Sequence, residues 1–298
     1  MIIIRNYTYG NFAVLNKGFF MSALANNVAN LNSAMNNGFF GVVDGFSLIY
    51  KNMDFSSIEQ KYADVESYVE GIAVGQYRSV IVNGPAGVGK TFSVESYLQK
   101  YSHADNYKVV AGHMTPLSLY GNLYQYRNVG EVLVLDDIDS VFSKIEGINL
   151  LKAAMDTKPS RRVNWESSSS TVLSMGLPSG FDFNGSVVLI SNIGFNRKKS
   201  KLQEHLDALK DRSYCLQISD GTNESLYLQV CFMVVKKGLL NSFGLSGTQQ
   251  SQILDYIGEN LDRLHKISLR LAMKLASLVQ ANPEDWRSMA DSGLLNDE

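Results

Sequence analysis

Along most of the chain, the spacing of apolar residues alternates between that of a helix and that of a strand. Between residues 58 and 72 apolar side chains recur at helical spacing, and the apolar strand-like run Ser79–Asn83 follows. Further strands are predicted at Lys108–Ala111, Glu131–Leu135, Ser186–Ile190 and Tyr214–Ile218, alternating with helices at Leu117–Tyr126, Ile148–Met155 and Ser200–Lys210. This alternation is typical of an α/β domain with a mostly parallel sheet.

After about residue 225 the strand signals end and helical patterns continue. Helices are predicted at Leu226–Lys236, Gln249–Asn260 and Asp262–Gln280, with a short terminal helix from Pro283. Residues 1–55 are poor in charge, rich in Asn and Gly, and without a clear period. We therefore expect an N-terminal segment of unclear structure (1–55), an α/β core (56–224) and a small all-helical C-terminal domain (225–298).

Composition and charge exclude several classes of protein. A chain of 298 residues is long enough for about two domains. Its 27 basic and 29 acidic side chains give a net charge of −2, so a global attraction to nucleic acid or anionic membranes is excluded and only a local patch remains. Two cysteines cannot build a disulfide framework, and the four histidines lack metal-ligand spacing. We expect a cytoplasmic protein without a membrane span or signal peptide.

The segment Gly84–Thr91 reads Gly-Pro-Ala-Gly-Val-Gly-Lys-Thr and matches the phosphate-binding P-loop, or Walker A, pattern. It lies directly between a predicted strand and a helical run, which is the context that this loop needs. Backbone N–H groups would wrap the phosphates, Lys90 would neutralise the β- and γ-phosphates, and Thr91 would ligate Mg²⁺. The predicted nucleotide-binding residues are Gly84, Pro85, Ala86, Gly87, Val88, Gly89, Lys90, Thr91 and Phe92.

Two carboxylates end the hydrophobic run Val132–Asp137. Such an ending alone is equally typical of a helix cap, since Asp also caps helices. Its position about 45 residues after the P-loop favours the Walker B motif of a P-loop enzyme. Asp136 would then hold Mg²⁺, and Asp137 would activate the attacking water.

On these motifs, residues 58–280 resemble an AAA+ ATPase. The resemblance implies a P-loop NTPase core with a helical lid, ATP as the nucleotide, Mg²⁺ and ATP hydrolysis. It also implies a homo-oligomer, a hexameric ring with the active site between subunits. The run Leu150–Pro159 with Arg161–Trp165 also resembles phage- and plasmid-encoded AAA+ ATPases.

The same resemblance assigns three further site residues. Asn192, which ends the run Val187–Asn192, corresponds to sensor 1. Arg212 corresponds to an arginine finger that reaches the neighbouring subunit, or else it interacts with its own helix end. Arg270 corresponds to the lid's sensor 2, or else it belongs to a solvated charged face.

Two segments are candidates for contact with a substrate. Tyr120, within Met114–Arg127, occupies the place of an AAA+ pore loop, although an aromatic residue there is at least as often part of the core. Residues 158–184 predict an inserted β-hairpin, with strands at Arg161–Trp165 and Phe181–Asn184. The basic side chains here would contact the phosphates of a nucleic acid; they are Arg161, Arg162 and the cluster 197–201. Alternatively, they are solvated charges of a loop or lie at a subunit interface.

Three hypotheses for function follow. The first is a DNA replication, recombination or packaging motor or loader, favoured by the hairpin and by the Asp-Asp ending of Walker B, which resembles bacterial replication initiators and helicase loaders. The second is a protein remodeller, favoured by the acidic balance and the aromatic pore position. The third is a nucleotide-controlled assembly switch with slow turnover, since Asp137 is one methylene shorter than the Glu of many AAA+ members.

Overall fold

The computed structural model describes residues 48–142, 144–165, 175–192 and 201–296. These residues divide into two compact units, one formed by Ser56–Leu226 and the other by residues 48–55 with 227–296. We call them the α/β unit and the helical unit. The predicted tip of the hairpin and the basic cluster at 197–201 fall largely on residues outside the described ranges.

Helices and strands follow the predicted order closely. The strands are β1 Ser79–Asn83, β2 Tyr107–Ala111, β3 Val132–Asp136, β4 Arg162–Asn164, β5 Gly180–Asp182, β6 Ser186–Ser191 and β7 Tyr214–Gln217. The helices are α1 Leu48–Lys51, α2 Ser56–Ala73, α3 Lys90–Tyr101, α4 Pro116–Gln125, α5 Asp139–Phe142, α6 Ile145–Ala154, α7 Lys201–Lys210, α8 Asn223–Val235, α9 Gly247–Glu259, α10 Leu269–Ala281 and α11 Trp286–Leu294.

Five parallel strands form the central sheet in the order β2-β3-β6-β1-β7. All residues of β1 and β6 are buried, as expected for strands covered on both faces. One face packs its apolar side chains, such as Ile81, Leu133 and Leu189, against Leu119 and Leu151 of the flanking helices. The predicted α/β fold with a mostly parallel sheet is confirmed.

The register of the sheet fixes where the motifs lie. Asn83 at the end of β1 pairs with Ser191 at the end of β6, and Asp136 at the end of β3 pairs with Ile190. Strand β6 lies between β1 and β3. The P-loop, the Asp136–Asp137 pair and Asn192 therefore emerge side by side from one edge of the sheet.

The predicted inserted hairpin is confirmed as a small antiparallel pair. Strands β4 and β5 pair with Arg162 opposite Asp182, Val163 opposite Phe181 and Asn164 opposite Gly180. The pair continues through Trp165, whose N–H donates to the carbonyl of Ser179 at 2.8 Å. Its apolar positions, including Val163 and Phe181, are buried in the core of the α/β unit.

The helical unit contains most of α8 and all of α9, α10 and α11. Ser246 and Gln249 form a reciprocal capping box at the start of α9. Helix α10 begins at Leu269 rather than at the predicted Asp262, because the Ser268 hydroxyl accepts the N–H of Leu271 and caps the helix there. Residues 262–268 therefore connect two helices.

The described end of the N-terminal segment packs within the helical unit. Tyr50 and Phe55 are both almost fully buried. The Tyr50 hydroxyl donates to Asp255 Oδ1 at 2.6 Å and lies 3.3 Å from the Tyr227 hydroxyl. The rings of Phe55 and Phe232 are 5.7 Å apart. The helical unit is thus assembled from two distant parts of the chain, and the three-part domain division expected from the sequence stays a prediction.

Candidate nucleotide-binding site

The P-loop leaves β1 at Gly84 and enters α3 at Lys90. Gly87 and Gly89 both have a φ of 85°, a left-handed conformation that residues with a Cβ rarely adopt. Gly89 is the N-cap of α3, and the first N–H groups of that helix have no partner within the helix. The loop therefore ends in an array of N–H donors at a helix N-terminus, which is suited to bind phosphate.

Lys90 lies inside this loop with only 5% of its surface exposed. Its ammonium group donates to the carbonyl oxygens of Gly84 and Pro85, each at 2.9 Å. It also donates to Asn192 Oδ1 at 2.5 Å. A buried cation at this position is held by backbone and amide oxygens, which orient it toward the loop's interior.

Thr91 and Asp136 bring two oxygen ligands together. The Thr91 hydroxyl in the first turn of α3 donates to Asp136 Oδ2 at 2.7 Å. A hydroxyl and a carboxylate are the oxygen donors that Mg²⁺ prefers. Within the described residues no group of three or more His, Cys, Asp or Glu could hold a metal ion by itself. This pair therefore fits a metal that takes its remaining ligands from phosphate and water.

Asp137 and Asn192 extend the network to the solvent. Asn192 Nδ2 lies 2.6 and 2.7 Å from the two carboxylate oxygens of Asp137. Asp137 has a φ of 49°, the one positive value found for a non-glycine residue in the described part of the chain. The side chains of Lys90, Asn192 and Asp137 thus form a continuous hydrogen-bonded row. A cation, an amide and a carboxylate lie in sequence beside the N–H array.

The chain is similar in sequence to a phage protein. It is 32% identical over 257 residues to an uncharacterized 36.7 kDa protein from the nrdC–mobD intergenic region of Enterobacteria phage T4. The match covers 81% of this chain and 79% of the phage protein. The chain belongs to the family of this phage T4 protein. No family model matches it.

Several solved structures align with parts of this chain. Thermotoga maritima RuvB, a Holliday junction branch migration motor, aligns at 14% identity with a TM-score of 0.46, over 82% of this chain and 66% of RuvB. Domain III of the replication initiation protein DnaA from the same organism aligns at 15% identity with a TM-score of 0.48, over 83% of this chain and 97% of the domain. Brucella abortus NtrX in complex with ADP aligns at 15% identity with a TM-score of 0.44, over 88% of this chain and 57% of NtrX.

The identities of these three alignments are at most 15% and their TM-scores are below 0.5, so the alignments assign no function to this chain. The chain spans less than two thirds of the RuvB and NtrX chains that it matches. The α/β fold expected from the sequence is present, with the strand order β2-β3-β6-β1-β7 and with the P-loop between β1 and α3. No helix within the described ranges is long and apolar enough to cross a membrane.

The remaining P-loop residues differ in exposure. Val88 is buried, whereas Phe92 exposes 66% of its surface to solvent. Pro85 faces Gly221 in the turn after β7, where a Cβ would lie 3.2 Å from Pro85 Cγ. The predicted contacts of Ala86, Val88 and Phe92 with a nucleotide stay predictions.

The two arginines expected from the resemblance lie in different units of the chain. Arg212 Nη1 donates to the carbonyl oxygen of Ala208 at 2.6 Å, at the C-terminal end of α7. This is the helix-end interaction that was the alternative for Arg212. Arg270 is exposed in the first turn of α10, in the helical unit. The arginine-finger and sensor 2 roles stay predictions.

Two expectations about substrate contact are wrong. Tyr120 lies within α4 with no exposed surface, and its hydroxyl donates to the carbonyl oxygen of Pro178 at 2.7 Å. It belongs to the core because the hairpin covers it. Arg161 is 6% exposed and donates to the carbonyl oxygens of Ala154 and Gly185. Its guanidinium is therefore used inside the fold, although Arg162 remains exposed beside Asp182.

Sequence reasoning missed one residue that contacts the P-loop. The hydroxyl of Tyr62, on α2, donates to the carbonyl oxygen of Val88 at 2.8 Å. The periodic pattern of residues 58–72 places Tyr62 on the apolar side of its helix. The available signal was that a buried tyrosine hydroxyl requires a hydrogen-bond partner.

Proposed function

We propose that this chain binds ATP with Mg²⁺ at the P-loop and hydrolyses it. The observation that carries the proposal is the row Lys90–Asn192–Asp137 beside the Thr91–Asp136 pair. A buried cation, a metal-ligand pair and a carboxylate oriented by an amide are the parts that phosphoryl transfer to water needs. The preference for adenine rests on the resemblance to AAA+ ATPases.

Each residue of the row has a distinct task in this proposal. Lys90 and the N–H groups of the loop hold the phosphates and offset their negative charge. Thr91 and Asp136 hold Mg²⁺, which when bound neutralises charge that develops on the phosphates. Asp137 accepts a proton from the attacking water, and Asn192 orients the Asp137 carboxylate. Since Asn192 contacts both oxygens of Asp137, the water must share one of them with the amide.

The resemblance further supports a ring in which Arg212 completes the neighbour's site and Arg270 contacts the nucleotide of its own subunit. The proposal for Arg212 requires its guanidinium to leave Ala208 when a neighbour docks. A mixing experiment separates this role from the helix-end role. If Arg212 acts between subunits, inactive Lys90→Ala and Arg212→Ala proteins regain activity when mixed. If it acts only within its own helix, the mixture stays inactive.

The test of hydrolysis is steady-state ATPase activity of the full chain, with its molar mass measured in ATP. We expect Lys90→Ala to lower the rate by about a hundredfold or more, because the loop loses its buried cation. The matched control is Lys100→Ala, which removes an exposed lysine paired with Glu66 and should leave the ATPase rate unchanged. Equal rates for Lys90→Ala and Lys100→Ala would reject the proposed site.

A second function, remodelling or translocation of nucleic acid, is favoured by the β4–β5 pair. The pair is inserted directly before β6, the strand that ends beside Asn192, and it presents the exposed Arg162. An exposed arginine on such an insert can contact phosphate. The burial of Tyr120 removes the aromatic residue that favoured a protein remodeller, and the short Asp137 still favours a slow assembly switch.

Added DNA distinguishes these alternatives. Single- and double-stranded DNA should raise the ATPase rate several-fold with a steep salt dependence, and Arg162→Ala should weaken the stimulation. Arg287→Ala is the control, since Arg287 is an exposed, ion-paired arginine of the helical unit. A rate that ignores DNA but rises with a protein partner favours the remodeller. Assembly in ATP without turnover favours the switch.

A further inference from the structure

Tyr62 reaches the P-loop from a helix that carries none of the nucleotide-binding motifs. It lies in α2 and is 3% exposed, and its hydroxyl donates to the Val88 carbonyl oxygen at 2.8 Å across 26 residues of sequence. Val88 is itself buried. The contact therefore lies in the interior of the α/β unit, behind the loop.

The position of Val88 gives this contact its significance. Val88 lies between Gly87 and Gly89, both at a φ of 85°. Turning over the peptide group between residues 88 and 89 changes ψ of Val88 and φ of Gly89, and a glycine adopts φ values of either sign at little steric cost. Because a peptide group is planar and trans, its C=O and N–H point in opposite directions. When Tyr62 holds the Val88 carbonyl, the Gly89 N–H is directed to the side away from Tyr62.

The opposite orientation would harm phosphate binding. It would place a carbonyl oxygen, with its partial negative charge, where the cradle needs an N–H donor. It would also leave a buried tyrosine hydroxyl without this acceptor, which costs free energy. The hydroxyl of Tyr62 thus favours the orientation in which the loop's donors face the phosphates.

The hydroxyl is held in place by a rigid element. On the same face of α2 the residues Ile58, Val65, Val69 and Ile72 are buried. Helix α2 also contacts α3 through Glu66, which accepts hydrogen bonds from Lys100 and Tyr101. The buried face of α2 and the hydrogen bonds to Glu66 both restrain this helix, and with it the position of the Tyr62 hydroxyl.

We propose that Tyr62 is a positioning residue for the phosphate cradle, and this inference rests on the proposed nucleotide-binding function. Tyr62 fixes the peptide group of Val88 and Gly89 before the nucleotide arrives. It touches neither the reacting phosphate nor the attacking water. Its loss should therefore weaken nucleotide binding and raise KM while leaving kcat close to the original value.

The test compares two tyrosine-to-phenylalanine variants of the full chain. Tyr62→Phe removes the hydroxyl that reaches Val88, whereas Tyr101→Phe removes a hydroxyl that joins the same two helices away from the loop. Titration with a fluorescent ATP analogue and Mg²⁺ gives Kd, and steady-state kinetics give KM and kcat. We expect Tyr62→Phe to raise Kd and KM about five- to tenfold, and Tyr101→Phe to change them less than about twofold.

A third variant, with p-aminophenylalanine in place of Tyr62, tests the hydrogen-bond donor alone, because its amino group can still donate to the Val88 carbonyl oxygen. Affinity that recovers with this residue supports the proposal. Equal Kd values for wild type, Tyr62→Phe and Tyr101→Phe would overturn it, as would an equal loss in both variants. A wild-type chain that binds no nucleotide would instead overturn the proposed function, so the two failures can be told apart.

Discussion

Thr91 and Asp136 are joined by a hydrogen bond of 2.7 Å although 45 residues separate them in the sequence. The bond links the first turn of α3 to the last residue of β3. The two oxygens belong to different motifs, and each motif alone supplies only part of a metal site. The parallel register that sets β3 beside β6, and β6 beside β1, is what brings them together.

Asp136→Asn should weaken the dependence of nucleotide binding on Mg²⁺. The variant keeps an oxygen near Thr91 but loses the negative charge that favours a divalent cation. We expect ATP affinity in Mg²⁺ to fall by at least about tenfold, while affinity in EDTA changes little. Titrations with a fluorescent ATP analogue in both buffers measure the two values. An equal loss in Mg²⁺ and in EDTA would mean that Asp136 serves the loop's structure instead.

Asp137→Asn should separate binding from turnover. An amide at this position cannot accept a proton from water, so we expect hydrolysis to fall by at least about a hundredfold. Asp137 is not among the groups expected to hold phosphate, so ATP affinity should stay within a few-fold of the wild-type value. Single-turnover hydrolysis and equilibrium titration give the two numbers. A variant that hydrolyses ATP at the original rate would remove Asp137 from the mechanism.

Arg161 and its neighbour Arg162 should differ sharply in their contribution to stability. Arg161 is buried, and its burial beside Arg78 lowers its pKa to about 10, so it remains charged at neutral pH. Arg161→Met leaves two buried carbonyl oxygens without their donor and should lower the free energy of unfolding by about 2–4 kcal/mol.

The matched variant is Arg162→Met, which removes an exposed arginine 3.5 Å from Asp182. It should change the free energy of unfolding by less than about 1 kcal/mol. Urea unfolding of both proteins measures the difference. Comparable losses in the two variants would contradict the structural role assigned to Arg161.

Asp255 should make the helical unit more stable at lower pH. Burial raises the pKa of this carboxyl above 3.8, Glu259 adds to the increase, and the hydrogen bond from Tyr50 opposes it. The folded state then holds a proton that the unfolded state has already released, so the stabilising contribution is present at low pH. It is lost as the pH rises through the folded-state pKa.

Asp255→Asn removes this exchangeable proton. The stability of the variant relative to wild type should therefore increase as the pH rises from 4 to 7, as measured by urea unfolding at each pH. Tyr50→Phe removes the opposing hydrogen bond and should move the decline of stability to higher pH. A relative stability of Asp255→Asn that is independent of pH would contradict the assignment.

The sequence predicted the fold well because its signals are local. Each strand of the sheet is a short apolar run, and the P-loop is a contiguous motif directly after β1. Asp136 and Asp137 were found for the same reason. Asn192 came from the resemblance to AAA+ ATPases, and its hydrogen bonds to Lys90 and Asp137 could not be read from the sequence because they depend on the strand order.

The errors arose where distant residues decide burial. Tyr120 is covered by the hairpin, and its hydroxyl partner Pro178 lies 58 residues later. Arg161 reads as a surface charge, yet two backbone carbonyl oxygens, one before it and one after it, provide its partners. Tyr62 was placed correctly on an apolar face, but its acceptor lies in a loop that follows another element. The periodicity of apolar residues predicts which face of a helix is buried, but it does not predict which residues pack against that face.

The two-part origin of the helical unit has a consequence for the order of synthesis. The partners of Tyr50 lie 177 and 205 residues after it, so both leave the ribosome long after Tyr50 does. The α/β unit lies between them and is complete once Leu226 has emerged. We expect this unit to fold first, before the residues that contact Tyr50 and Phe55 have emerged from the ribosome. The helical unit then folds last, although Tyr50 and Phe55 in its interior are translated before the α/β unit.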